Sequence, residues 1–327
     1  MHCQISLHSI RIALNPPVVA RIIPPLRLSS ARNARNARSF SHTNPFDMKI
    51  AITGARGTVG REVVKAASKA NHSTVQVDRT DTEYDGTPNS EMKTADTAND
   101  YQATLNAFQG CDAVIHLAAI PDPVDKGDDL VHNNNVNSAF NGFRAAAELG
   151  IKRVCYASSV NAIGLEYANR PLKFDYFPVD EEAESRPTDA YALAKDEAEL
   201  QARAFARWFP GMNIACMRIH AVSSRAEAQQ GHKDNWDTAA VKSLWGWVSP
   251  PATARACLLA VENSDNLEGC EVFNIVAPTT TQDTPSKDLA KKYYPDAEIR
   301  GELSGNQSLF ATDKAKKILG WVHDEKE

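Results

Sequence analysis

Ala51-Ile52-Thr53-Gly54-Ala55-Arg56-Gly57-Thr58-Val59-Gly60 is the stretch from which the fold can be read. An apolar run ends in three glycines spaced three apart. A helical pattern follows at once, with Val63, Val64 and Ala67 on one face. This order predicts a buried parallel strand, a tight turn and the start of a helix. Glycine lets the chain turn sharply and lets a ligand approach the backbone. A helix N-terminus then offers free N–H groups and a positive dipole end to phosphate oxygens. Glycine-rich surface loops are common, so the setting decides: a strand before, a helix after and an acid downstream are what a dinucleotide turn requires. Ser73-Thr74-Val75-Gln76-Val77 reads as the next strand and ends in Asp78, 18 residues past Gly60. A carboxylate there can accept both ribose hydroxyls and repels a 2′-phosphate, which favours NAD. Arg79, immediately next, leaves NADP open.

The rest of the chain alternates strand and helix. Ala95-Asp96-Thr97 follows a short third strand, and Asp96 can meet an adenine amino group or stand as a solvated loop acid. Ala113 to Ala119 is a continuous apolar run, as in strands buried on both faces. Its small end, Ala118 and Ala119, leaves room for a cofactor beyond the strand's carboxyl end. His116 within it reads as a satisfied core residue. Asn133 to Asn137 opens a long helix running to Glu148, closed by Gly150. Arg153 to Ala157 is another buried strand, ending at Ser158-Ser159. The pattern predicts an α/β fold with a doubly wound parallel sheet. Residues 48–217 form the nucleotide-binding part. Residues 218–327, with 160–190, form mainly a small substrate-binding region that includes elements returning to the sheet.

Composition bounds the partners. Residues 1–47 hold six arginines, no lysine and one acid, Asp47. Setting these aside from 36 basic and 41 acidic residues leaves 30 basic against 40 acidic. An acidic body has no footprint for nucleic acid. The Arg- and Ser-rich start, with Arg38-Ser39-Phe40-Ser41, reads as a mitochondrial transit peptide directing the protein to the matrix. Pro16, Pro17, Pro24 and Pro25 break an amphipathic helix there. The other reading is a disordered extension, with Met48 as the functional start and a cytoplasmic protein. No apolar run reaches the ~18 residues of a membrane span. Cys3, Cys111, Cys155, Cys216, Cys257 and Cys270 include no C-x-x-C pair and read as free thiols. The histidines form no ligand-spaced cluster, so no metal is expected.

The chemistry is concentrated in Thr188-Asp189-Ala190-Tyr191-Ala192-Leu193-Ala194-Lys195. Tyr191 and Lys195 are four apart on a helical composition and share one face. Tyrosine ordinarily titrates near ~10. A nearby ammonium, helped by a positive nicotinamide ring, favours the phenolate. A general acid/base brought toward operating pH suits hydride transfer between a carbonyl and an alcohol. Ser159, at a strand end, can hydrogen-bond the same substrate oxygen. Arg218 can pair with a substrate carboxylate or phosphate, or lie in a buried ion pair. Trp236, Trp245 and Trp247 can stack on a sugar or fill a core.

These pieces together resemble an extended short-chain dehydrogenase/reductase of the NAD-dependent epimerase/dehydratase group. The resemblance rests on Thr53-Gly54-x-x-Gly57-x-x-Gly60, Asp78, Asp96, His116-Leu117-Ala118-Ala119, Asn135, Tyr156-Ala157-Ser158-Ser159, Tyr191-x-x-x-Lys195 and Met217-Arg218. Cys270 to Ile275 and Lys314 to Trp321 resemble the family's end. It implies a Rossmann fold holding a nicotinamide cofactor at Gly54, Gly57, Gly60, Asp78, Asp96, Ala118, Asn135, Tyr191 and Lys195. It implies Tyr191 as acid/base, Lys195 as its electrostatic partner and ribose ligand, and Ser159 as anchor of the substrate oxygen. A homodimer through paired helices is usual for the family. Val160 and Asn161 after Ser159 stand where sugar-nucleotide dehydratases carry an acidic pair, which argues against elimination of water. Ile163-Gly164 replaces the usual Tyr-Gly, and Ala252 replaces an Asp. The stretch from Arg218 to Trp247 is short for a nucleotide-sugar pocket. The expected activity is therefore an NAD(P)-dependent oxidoreductase on a small carbohydrate-like alcohol or carbonyl. The alternatives are a nucleotide-sugar epimerase with tightly held NAD and a non-catalytic cofactor-binding protein.

Overall fold

The computed structural model describes residues 47–324, apart from 83 and 85. The arginine-rich start lies outside the described residues. Among the described residues nine strands run in chain order: β1 (Lys49–Thr53), β2 (Ser73–Asp78), β3 (Ser90–Thr94), β4 (Ala113–His116), β5 (Arg153–Ser159), β6 (Tyr176–Phe177), β7 (Asn213–Ile219), β8 (Cys270–Ile275) and β9 (Glu298–Ile299). Eight α-helices lie between and after them: α1 (Thr58–Lys69), α2 (Tyr101–Phe108), α3 (Asp128–Glu148), α4 (Ala190–Trp208), α5 (Arg225–Asp234), α6 (Pro250–Glu262), α7 (Ser286–Tyr293) and α8 (Asp313–Leu319). Seven strands form one parallel sheet in the order β3-β2-β1-β4-β5-β7-β8. The order reverses between β1 and β4, the switch point where α/β sheets bind ligands beyond their strand ends.

Side-chain alternation along the strands builds two cores, one on each face of the sheet. Ile50, Ile52, Ile115, Cys155 and Met217 pack with Val63 of α1, Cys257 of α6 and Leu319 of α8. Ala51, Val114, Val154, Tyr156 and Cys216 pack with Phe143 of α3 and Phe205 of α4. Apolar helices on both faces make this a doubly wound Rossmann fold. A third core, with Phe174, Phe177, Trp245, Leu289 and Phe310, lies in segments that follow the carboxyl ends of β5, β7 and β8. There β6 pairs in parallel with β9. Trp245 and Trp247 are fully buried, and the Trp247 indole donates to Thr279 O at 3.0 Å. Trp236 donates to the Tyr293 hydroxyl at 2.7 Å. These tryptophans fill and tie a core instead of presenting a stacking face.

Two boundaries differ from the sequence expectation. Helix α3 begins at Asp128, before the asparagines, because Asp128 and Asp129 occupy its first turn. Acids there meet the positive end of the helix dipole. Strand β4 ends at His116: Leu117 N divides between Thr53 O at 3.3 Å and Thr53 Oγ1 at 3.0 Å, and Ala118 N bonds only Thr53 Oγ1, at 3.1 Å.

Buried imidazoles pin several elements. His116 Nδ1 lies 2.7 Å from Thr53 Oγ1, and Nε2 lies 2.9 Å from Ser138 O. Gly142 makes room for this ring, since a Cβ there would lie 2.9 Å from His116 Nε2. His220 Nε2 bonds Ser243 O at 2.9 Å, and its Nδ1 accepts from Ala221 N at 2.7 Å. His232 bonds Thr281 Oγ1 at 2.7 Å. Burial lowers all three from the ordinary 6.5 to about 4. Each is therefore neutral when folded and protonates near 6.5 when unfolded. Below that pH the unfolded chain binds more protons, so stability falls from pH 6.5 toward 4, by roughly 3 kcal/mol per imidazole at the limit. Urea midpoints should already drop between pH 7 and 5.5, above the ordinary carboxylate range, and His232→Gln should lessen that slope. A flat profile over this interval would show that these rings are not held neutral.

Candidate active site

The glycine turn is built for close approach. Gly54 has φ +65°, and a Cβ on it would lie 3.0 Å from Ala118 N. A Cβ on Gly60 would lie 2.2 Å from Gly54 O, so the turn folds directly onto the first turn of α1. No side chain caps α1 at Gly57. Its opening residues, Thr58 and Val59, line a crevice of about 540 Å³. Free N–H groups at such a position suit a pyrophosphate.

The same crevice is lined by Gly54, Gly57, Gly60, Asp78, Asp96 and Ala118. Asp78 is held in place from both sides, with Oδ2 accepting from Arg56 N at 2.9 Å and Oδ1 from Arg79 N at 2.8 Å. So fixed, it lines the crevice one strand away from the glycine turn. Asp96 spends Oδ1 on Ala98 N and Asn99 N, at 3.0 and 3.2 Å, so it shapes its own turn while lining the crevice. The floor is stiff, because Ser138 Oγ donates to Ala118 O at 2.9 Å and meets Thr97 Oγ1 at 2.7 Å. A dinucleotide fits this donor set. Asn135 does not line it. Its amide is spent on the backbone of Ile120, accepting from N at 2.8 Å and donating to O at 3.0 Å. Its expected contact with the cofactor is thus replaced by a clamp on the crevice rim, and neighbouring Asn134 faces the crevice instead.

Ser159, Tyr191 and Lys195 meet in an adjoining hollow of about 320 Å³. The two spaces share Thr58, Val59, Leu117, Ala119 and Pro121, so they form one continuous cleft. Asp189 caps α4, accepting from Ala192 N at 2.8 Å, which sets Tyr191 and Lys195 in the first turns. Lys195 Nζ donates to Ala157 O at 2.6 Å and lies 5.7 Å from the Tyr191 ring centre. Burial lowers Lys195 from 10.5 to about 8.

Tyr191 departs from the sequence expectation. Burial raises it from 10 to about 12, and the acids Asp122, Asp189 and Glu166 add to the rise. The hydrogen bond from Ser159 works the other way. Withdrawing the phenolate from water is the largest cause of the rise. The protein alone therefore holds Tyr191 as a neutral phenol.

Of the two readings open for Arg218, the structure shows the buried ion pair. Arg218 is 4% exposed, and its guanidinium grips Glu199 through Nε and Nη2, each at 2.9 Å. It does not line the hollow, and the substrate contact open to it in the sequence gives way to this ion pair. Ser158 Oγ donates to the same carboxylate at 2.7 Å. Sequence reading passed over several residues that do line the hollow: Glu166, Tyr167, His220 and Ser243. No spacing rule joins them, because they come from separate loops. Among the described residues no group of three or more His, Cys, Asp or Glu is placed to hold a metal, and no helix is long and apolar enough to cross a membrane.

Comparison with known proteins follows this geometry. The sequence model of the NAD dependent epimerase/dehydratase family matches residues 50–275, and the chain belongs to that family. It is 30% identical over 223 residues to an L-arabinose 1-dehydrogenase (NAD(P)(+)) of Haloferax volcanii, covering 66% of this chain and 83% of that one. It is 26% identical over 193 residues to a uronate dehydrogenase of Pseudomonas syringae pv. tomato, covering 59% and 65%. Its fold is similar to that of a short-chain dehydrogenase/reductase superfamily protein from Agrobacterium tumefaciens with bound NAD. That match has a TM-score of 0.63, 20% identity, and covers 84% and 92% of the two chains.

Proposed function

We propose that this member of the NAD-dependent epimerase/dehydratase family is an oxidoreductase that moves hydride between a carbohydrate-like alcohol, or its carbonyl form, and NAD, with NADP as the alternative. The observation that carries this reading is the continuous cleft, with the glycine turn and Asp78 at one end and Ser159, Tyr191 and Lys195 at the other. Gly54, Gly57 and Gly60 would pass the pyrophosphate, and Asp78 would take the adenosine ribose. Bound there, the nicotinamide supplies a hydride acceptor and a positive charge. Ser159 orients the substrate hydroxyl. As the phenolate that a bound nicotinamide's positive charge would favour, Tyr191 accepts its proton while the C–H hydride departs, and as the phenol it returns that proton in the reverse direction. Lys195 sits where an ammonium favours the phenolate form of Tyr191 and can bond a ribose hydroxyl. The dehydrogenases of known name among the relatives support net oxidation. An epimerase on a sugar nucleotide is disfavoured, because Lys195 is the only Lys or Arg among the described residues lining the hollow, which leaves no second cation for a nucleotide's phosphates.

The exposed apolar residues of α3 and α4 support a homodimer. Leu193, Leu200 and Trp208 are spaced seven and eight apart on α4 and are 40%, 62% and 64% exposed. Such spacing puts them on one stripe. Leu130 and Phe140 of α3 are 56% and 42% exposed. The composition of residues 1–47 supports delivery to the mitochondrial matrix, with a cytoplasmic protein starting at Met48 as the other reading.

Three measurements test these statements. Tyr191→Phe should lower kcat by about 10²–10⁴-fold while cofactor still binds, with NADH absorbance as the readout. Unchanged turnover would remove Tyr191 from the chemistry, and an isomerised sugar without stoichiometric NADH would favour the epimerase. Leu200→Glu with Trp208→Glu should shift the protein from dimer to monomer in light scattering, and an unchanged mass would put the dimer elsewhere or nowhere. Sequencing the N-terminus of protein from isolated mitochondria should find a start just past Phe40; an intact Met1, or recovery only from cytosol, would reject import with cleavage.

A further inference from the structure

The hollow beside Tyr191 contains one charged side chain with no evident structural work. Glu166 follows the turn after β5, and its backbone N donates to Asn161 Oδ1 at 2.9 Å. Gly164, at φ +81°, shapes this turn, and a Cβ there would lie 2.3 Å from Arg186 O. Leu165, between them, is buried in the third core. Glu166 is thus held on a fixed piece of backbone, half-buried, and it lines the hollow with Ser159, Asn161, Tyr167 and Tyr191. Among the described residues its carboxylate takes no hydrogen bond or ion pair. Its oxygens open on the hollow, so a ligand that brings donors can take the place of water there.

We propose that Glu166 reads the charge of the substrate, accepting sugar hydroxyls from a neutral aldose or polyol and turning away uronates and sugar phosphates. This rests on the oxidoreductase reading above and names the substrate class of that site.

The charges around the hollow agree. Lys195 is the only Lys or Arg that lines it among the described residues, and its ammonium is engaged by Ala157 O. His220 has both ring nitrogens committed to backbone and is held neutral, so it adds no positive charge at neutral pH. Asn161, Ser159 and Ser243 are uncharged. Asp122, near Glu166 and Tyr191, adds negative charge, offset in part by Lys126 at 2.5 Å. Lys242 is the other cation near Glu166. Its Nζ donates to Ala168 O at 2.6 Å, and it does not line the hollow. Burial and Asp122 push the Glu166 carboxyl up, while Lys242 pulls it down. A substrate carboxylate or phosphate placed against Glu166 would meet a like charge, and the one lining cation, Lys195, lies on the Tyr191 side of the hollow with one of its donors held by Ala157 O. Adjacent sugar hydroxyls would meet an acceptor able to take two donors at once.

The test uses the full chain with NAD and matched pairs: galactose against galacturonate, and glucose against glucuronate and glucose 6-phosphate. The neutral member should show at least about tenfold higher kcat/KM, the scale of one charge-assisted hydrogen bond. Glu166→Gln, nearly the same shape, should raise KM for the neutral sugar about tenfold while kcat stays within about threefold, and should narrow the preference over the anion. A native preference for the anionic member would overturn the proposal. So would a ratio that Glu166→Gln leaves unchanged. If no sugar yields NADH, the oxidoreductase reading falls by itself, and calorimetry with NADH present then judges the charge selection. Galactitol binding more tightly than galactonate, and weakening in Glu166→Gln, would sustain it; equal binding would reject it.

Discussion

A carboxylate with no exposure to water, that of Glu199, holds the catalytic end of the cleft together. It accepts from Arg218 on β7 and from Ser158 on β5, while its own helix, α4, carries Tyr191 and Lys195. Three elements distant in sequence thus share one buried charge. The Arg218 fork matches the two carboxylate oxygens, and a pair of this kind loses several kcal/mol when one partner is removed, because the other charge is left stranded. The benefit lies less in net stability than in placement. Ser159 follows Ser158 directly, so the bond that fixes Ser158 also fixes the strand end presenting Ser159 to Tyr191. A cleft that must align a hydroxyl, a phenol and an ammonium needs such a rigid support.

The electrostatics of the cleft divide in the same way. Burial holds Tyr191 protonated and brings Lys195 down toward neutrality, the opposite of an activated pair. This resting state fits a site that acts only when loaded. The protein supplies position and hydrogen-bond donors, and the charge that would tip the phenol toward its anion is left to the ligand. At the other end, the glycine turn offers uncapped N–H groups and Asp78 offers a carboxylate held by two backbone bonds. Each of these would suit one part of a dinucleotide, and Thr53, His116 and Ser138 tie the neighbouring strand ends together through hydrogen bonds.

What the sequence revealed followed from how local the signal was. The glycine turn, Asp78 and the Tyr191–Lys195 pair depend on spacings within one strand–turn–helix unit or one helical turn, so they could be read directly. Apolar runs gave β1, β4 and β5, since both faces of the sheet are covered there, whereas the polar edge strand β3 and the two-residue strands β6 and β9 carry no such run. Arg218 could not be settled, because its partner Glu199 sits on another element and only packing brings them together. Asn135 was misread for a similar reason: its amide meets Ile120, fifteen residues earlier, and nothing in the asparagine run says which of the three faces the crevice. The start of α3 was missed because the asparagines look like caps, whereas Asp128 and Asp129 already satisfy the first turn. Glu166, His220 and Ser243 carry no motif. They meet only because loops after β5 and β7 fold over the sheet's carboxyl edge.

That difference in origin separates two properties of the cleft. The residues that would handle hydride and proton stand on β5 and α4, tied by Glu199. Any change there disturbs the whole catalytic end. The acid at position 166 stands on a loop pinned by Gly164 and Leu165, outside the Glu199 network. Its charge can change without moving Ser159 or Tyr191, since its only bond to the neighbouring turn is through the backbone. A scaffold arranged this way can keep one reaction and exchange its substrates, because the reacting atoms are placed by strands and helices while the sign of the substrate is read from a loop.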